Sequence, residues 1–152
     1  MIISFVLSAV IILLDQMTKF LIYGTPARSV IGNLLWFESS LNTGVAFSMF
    51  EGKSNIFIVT SLVASVLFIY LIVSKKVFSS KFETIVLGVI LGGTLSNVID
   101  RFLFGGVRDF IYFKFINFAI FNIADMAVTI GAILLCVAVM IMTFKKDKKE
   151  DK

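Results

Sequence analysis

DFIYFKFINFAIFNIAD, residues 109–125, sets one carboxylate in an apolar connector and the next at the mouth of a hydrophobic helix. An ionised carboxylate in or near hydrocarbon costs roughly 2.5 to 3.5 kcal/mol on insertion scales, which makes Asp109 and Asp125 functional-site candidates from the outset. They flank one segment that returns to the membrane and so point to a shared task. Carboxylate pairs are suited to acid/base chemistry with one proton between them. A plainer alternative stays open: Asp109 sits in a turn or pairs with Arg108 or Lys114, and Asp125 caps the helix that follows.

Composition supplies the setting. Of 152 residues, 59% are hydrophobic and 16% charged, which is a membrane composition rather than a soluble one. The net charge of +4 resides largely in two clusters, Lys75, Lys76 and Lys81, and the tail from Lys145 to Lys152. That placement fits loops held on the cytoplasmic side by the positive-inside bias, and nucleic-acid binding is not expected. The chain has no histidine, which removes the usual zinc sites and the Ser-His-Asp and Cys-His arrangements together. Cys136, the single cysteine, lies in an apolar run and reads as helix filler. The N-terminus lacks a basic n-region and a small-residue cleavage site, so its apolar run reads as a retained span rather than a signal peptide.

Four spans are predicted, at about 2–23, 56–73, 84–100 and 124–144, within one membrane-embedded domain covering 1–152. Residues 24–55, punctuated by Gly32-Asn33, Asn42-Thr43-Gly44 and Glu51-Gly52, read as a small strand-and-turn unit at the membrane surface. Its aromatics Trp36, Phe37, Phe47 and Phe50 suit the headgroup belt. The connector 101–123 reads as an interfacial segment, partly helical. With 74–83 and 145–152 cytoplasmic, both termini lie inside, and 24–55 and 101–123 face outward. Asp15, Asp100, Asp109 and Asp125 then gather toward the outer face. Gly88, Gly92, Gly93 and Ser96 in the third span permit close helix approach.

Other polar residues have two readings each. Asp15 and Lys19, one turn apart, form either a plain ion pair near the interface or support for a polar pocket. Asn42 and Gly44 form a turn in any case, and the sharper version has Asn42 bonding a substrate backbone. Asn97, Asp100 and Arg101 either cap the third span or brace the acidic pair, and Asn122 precedes the fourth span where it can orient Asp125. Two competing functions follow from the acids alone. A proton or cation transporter requires an acidic path to both faces, against the one-sided distribution, and a non-catalytic adaptor tolerates loss of the polar residues.

Five blocks, DQMTK (15–19), NTGVAF (42–47), NVIDR (97–101), VRDF (107–110) and FNIAD (121–125), closely resemble in type and order the bacterial lipoprotein signal peptidase family, signal peptidase II, whose members are integral-membrane aspartic proteases. The resemblance implies an all-α polytopic membrane protein, with four transmembrane helices, a small extracytoplasmic β-cradle and a short surface helix. It implies cleavage of prolipoproteins just before a diacylglyceryl-modified cysteine, with no metal or organic cofactor, by a monomer in the bacterial cytoplasmic membrane. It also implies inhibition by globomycin-like cyclic peptides. By matching motif, Asp109 and Asp125 are the catalytic dyad, while Asp15, Lys19, Asn42, Gly44, Asn97, Asp100, Arg101 and Asn122 bind substrate or support the dyad. Ser96 stands where the family usually has glycine, Met126 where it has serine and Ala119 where it has proline, and the connector between the two acids is shorter than usual.

Overall fold

The computed structural model describes residues 1–44, 52 and 54–150, with side chains as far as Phe144. The run Val45 to Phe50 with its two aromatics, and the side chains of the lysine tail, lie outside the described residues. Four long helices, α1 (Ile2–Ile22), α2 (Ser54–Ser74), α3 (Lys81–Phe104) and α4 (Ile123–Glu150), are each long and apolar enough to cross a membrane. At about 1.5 Å per residue, the 21 residues of α1 extend roughly 31 Å, the thickness of the hydrocarbon core.

The first helix is amphipathic in the inverted sense that lipid allows. In α1 the buried residues are Ser4, Ser8, Asp15 and Lys19, a polar stripe at helical spacing, while Val6, Val10, Leu13, Met17 and Phe20 face outward. Between helices in lipid the attraction comes from close packing and polar contacts. α3 is the central helix and packs against the other three. Its small residues set the distances. A Cβ on Gly88 would collide with the Ser4 carbonyl, and one on Gly92 would lie 2.7 Å from that of Ser8. On the other side of α3, a Cβ on Gly93 would lie 2.5 Å from the Ala124 carbonyl at the start of α4. α3 begins earlier than its apolar run because Ser80 and Glu83 form a reciprocal capping box, and it ends at Gly105 in the left-handed conformation, φ 72°.

Strands β1 (Arg28–Ile31), β2 (Leu35–Asn42) and β3 (Val107–Tyr112) form an antiparallel sheet in the order β1-β2-β3. The surface unit therefore takes its third strand from the connector expected to be interfacial and partly helical. The helical part is a single 3-10 turn, Lys114–Ile116, stopped by Asn117 at φ 47°. The chain then doubles back, and Phe121 pairs with Ile111 through hydrogen bonds of 2.8 and 3.0 Å. That return brings Asn122 and the mouth of α4 beside Asp109. Register shifts between Phe37 and Ser40, where Phe37 faces Ile111 and Ser40 faces Asp109, so β2 carries one extra residue beside the acid.

Candidate active site

Asp109 is carried by β3 and is 2% exposed, with each oxygen accepting from a neutral amide. Asn122 Nδ2 donates to Oδ1 at 2.6 Å, and Asn42 Nδ2 donates to Oδ2 at 3.2 Å. Asp125, in the first turn of α4, is held in the same way. Asn97 Nδ2 donates to Oδ1 at 2.7 Å, and the backbone N–H of Asn122 donates to Oδ2 at 3.2 Å. Asn122 Oδ1 in turn accepts from the Asp125 N–H at 2.8 Å, a reciprocal capping box of Asn and Asp. The helix-cap reading and the site reading of Asp125 thus describe one geometry. Asn122 touches both acids, one through its side chain and the other through its backbone.

Both carboxylates open into one cavity of about 500 Å³. It is walled by Ser61 of α2, Thr94, Asn97 and Arg101 of α3, Met126, Thr129 and Ile130 of α4, and the segment 118–121. Among the described residues neither acid makes an ion pair. Burial, and next the negative charge of Asp125, push Asp109 up to about 7, against the opposing pull of Asn42, Asn122 and Lys19. A carboxyl poised there can hold or release a proton near neutrality.

Behind this pair lies a second polar cluster in which the charges balance. Lys19, wholly buried, pairs with Asp15 at 2.6 Å and Asp100 at 3.1 Å and donates to Asn97 Oδ1 at 3.0 Å. It does not snorkel. Asp100 also receives Arg108 Nη2 at 2.8 Å, Arg108 Nε at 3.3 Å and the Arg108 N–H at 2.9 Å. Asp15 accepts from Ser96 Oγ at 2.7 Å and from the Ala124 N–H at 2.9 Å, so an acid of α1 caps the start of α4. Arg101 Nη2 reaches the Gly44 carbonyl at 3.2 Å, and the Gly44 N–H donates to Asn42 Oδ1 at 3.0 Å, which pins the turn beside the cavity. Among the described residues no group of His, Cys, Asp and Glu side chains is arranged to hold a metal ion.

A profile of the family described as Signal peptidase (SPase) II matches residues 7–141. The chain belongs to the signal peptidase II family. It is 33% identical to the lipoprotein signal peptidase of Enterococcus faecalis over 100% of this chain and 95% of that protein. It is 43% identical to that of Campylobacter jejuni subsp. doylei over 74% of this chain and 70% of that protein. A solved structure described as a bacterial membrane enzyme, obtained by the in meso method, superposes with a TM-score of 0.86 at 31% identity, covering 94% of this chain and 90% of that one.

Within this signal peptidase II chain, all ten residues singled out from the sequence fall in or next to the cavity, in two tiers. Asn42, Asn97, Arg101, Asp109 and Asp125 line it, Asn122 and Gly44 hold its lining, and Asp15, Lys19 and Asp100 stand behind. Three further residues belong to the arrangement. Gln16 Nε2 donates to Asp100 Oδ1 at 2.9 Å and its Oε1 accepts from Arg108 Nη2 at 2.8 Å, while Ser96 joins Gln16 to Asp15. The signal for Gln16 was its place between Asp15 and Lys19. For Arg108 it was strand alternation, which turns residue 108 away from the face of residue 109.

Proposed function

We propose that this chain is the membrane aspartic endopeptidase that removes the signal peptide from diacylglyceryl-modified prolipoproteins, cleaving the bond before the lipidated cysteine. One observation carries the reading: two acids with no ion pair among the described residues, tied to one asparagine, open into one cavity between membrane-spanning helices. With one proton shared, the ionised acid takes a proton from water as the oxygen attacks the scissile carbonyl. The protonated acid polarises that carbonyl and then gives its proton to the leaving amine. The chain works as a single membrane-embedded domain and as a monomer. Lys75, Lys76 and Lys81 lie inside with both termini, and the dyad lies near the outer face, where water reaches it.

The substrate's apolar signal helix enters sideways from lipid along the α2, α3 and α4 wall. The acyl chains lie against apolar surface, where burial contributes about 0.8 kcal/mol per CH₂ and so positions the scissile bond by remote binding energy. Globomycin-like cyclic peptides occupy the same cavity. The test uses purified protein in detergent with a lipidated precursor. Asp109→Asn and Asp125→Asn should each abolish cleavage while the protein stays folded, and retained cleavage in either rejects the dyad.

A further inference from the structure

Asp109 and Asn42 border a second cavity of about 260 Å³, lined also by Glu38, Ser40 and Tyr112. The segment 118–120 forms a wall of both cavities, so a chain passing from one to the other runs between that segment and Asp109. The two spaces differ in character. The first is walled by three apolar helices, whereas the second is walled by the sheet and carries a carboxylate, a serine hydroxyl, an asparagine and a phenol. A substrate that is an apolar helix before the scissile bond and polar chain after it matches the pair in one direction only.

Glu38 is the charged group that distinguishes the second cavity. It sits at the irregularity in β2, where the extra residue re-aims side chains next to the acid. Among the described residues it has no ion pair, while Arg28 lies over the Phe37 ring and Lys114 over the Trp36 ring, 3.7 Å from its centroid. Tyr112 donates its hydroxyl to Asn117 Oδ1 at 2.9 Å, which leaves the phenol oxygen facing incoming donors. Ser40 pairs with Asp109 across the strands, and Glu38 lies two residues further along, about 7 Å by strand rise. An extended chain covers that distance in about two residues.

Resting on the peptidase reading above, we propose that this second cavity binds the polar chain on the carboxyl side of the scissile bond. There Glu38 selects for a cationic residue, and against an acidic one, two or three positions after the lipidated cysteine. The test compares kcat/KM for three lipidated precursors that differ only in carrying Lys, Ser or Asp at the second position after that cysteine. The wild type should prefer Lys over Asp by about fivefold, the scale of a solvent-accessible ion pair set against a like-charge contact. Glu38→Gln should bring the ratio within about twofold, Glu38→Lys should invert it, and raised salt should flatten the wild-type preference. The ratio is internal to each variant, so it does not depend on how much enzyme is correctly folded. Cleavage of all three precursors at equal rates by the wild type, or a ratio unmoved in both variants, overturns this assignment and leaves the peptidase reading standing. Failure of the wild type to cleave any of them overturns both.

Discussion

Two groups of aspartates, separated by little more than one asparagine side chain, are held in opposite ways. Asp15 and Asp100 meet Lys19 and Arg108 directly, two acids against two bases, and every oxygen is closed by a cation, a hydroxyl or an N–H. Among the described residues, the hydrogen bonds to Asp109 and Asp125 come from neutral amides and an N–H group of Asn42, Asn97 and Asn122. Direct pairing commits an acid to its cation and to holding helices together. An amide holds an acid in place and leaves its proton free to move. Asn97 spans the two regimes, accepting from Lys19 on one side and donating to Asp125 on the other.

That contrast can be broken most severely at the dyad. Asp109→Asn and Asp125→Asn should each lower kcat by about 10³-fold or more, the upper part of the range of acid/base assistance, with unfolding in detergent essentially unchanged. Lys19→Met should do the reverse. It leaves Asp100 with Arg108 but takes from Asp15 its ion-pair partner among the described residues, and should cost about 3 to 5 kcal/mol of stability, read from denaturant or thermal unfolding. Adding Asp15→Asn restores the charge balance and should recover part of that loss, and a double variant no more stable than Lys19→Met would contradict the account.

pH sharpens the same division. The folded-state value of Asp109 is about 7, above its ordinary 3.8, so its protonated form favours the folded protein. The corresponding stability is fully present below 3.8 and is lost as pH rises through about 7. Between pH 5 and 8 the unfolding midpoint of the wild type should therefore fall more than that of Asp109→Asn, and parallel curves would refute it. Activity should fall on its alkaline side near the same value of about 7, where the shared proton of the proposed dyad departs. The smallest effect belongs to Ser96→Ala, which removes a hydrogen bond to Asp15 and one from Gln16, both of which keep their other partners. It should cost about 1 kcal/mol and change kcat/KM by less than about threefold.

Much of this was legible beforehand because lipid imposes simple demands. Each span shows as a long apolar run, and any acid inside one stands out. The i,i+4 spacing of Asp15 and Lys19 was enough to pair them. β3 was harder, since Val107 to Tyr112 is buried at its first four positions, two apolar and two charged, and so shows no apolar/polar alternation. Missing that strand hid the partner of Arg108: neighbours on a strand face opposite ways, so Arg108 turns to Asp100 and leaves Asp109 alone. The early start of α3 had a visible signal in Ser80 and Glu83, set three apart. The meeting of Asn122 with Asp109 had none, because it depends on Phe121 pairing back onto Ile111.

The three asparagines each serve twice. Asn42 closes its own turn onto Gly44, Asn97 accepts a hydrogen bond from Lys19, and Asn122 starts α4, while all three grip the acids. An inhibitor of the proposed peptidase that anchored on those amides would leave little room for escape by mutation, since altering any of them disturbs both the scaffold and the acids it holds. Escape variants should instead accumulate on the greasy walls, at Ile120, Met126 and Ile130, where a change of shape can expel a compound without unfastening anything.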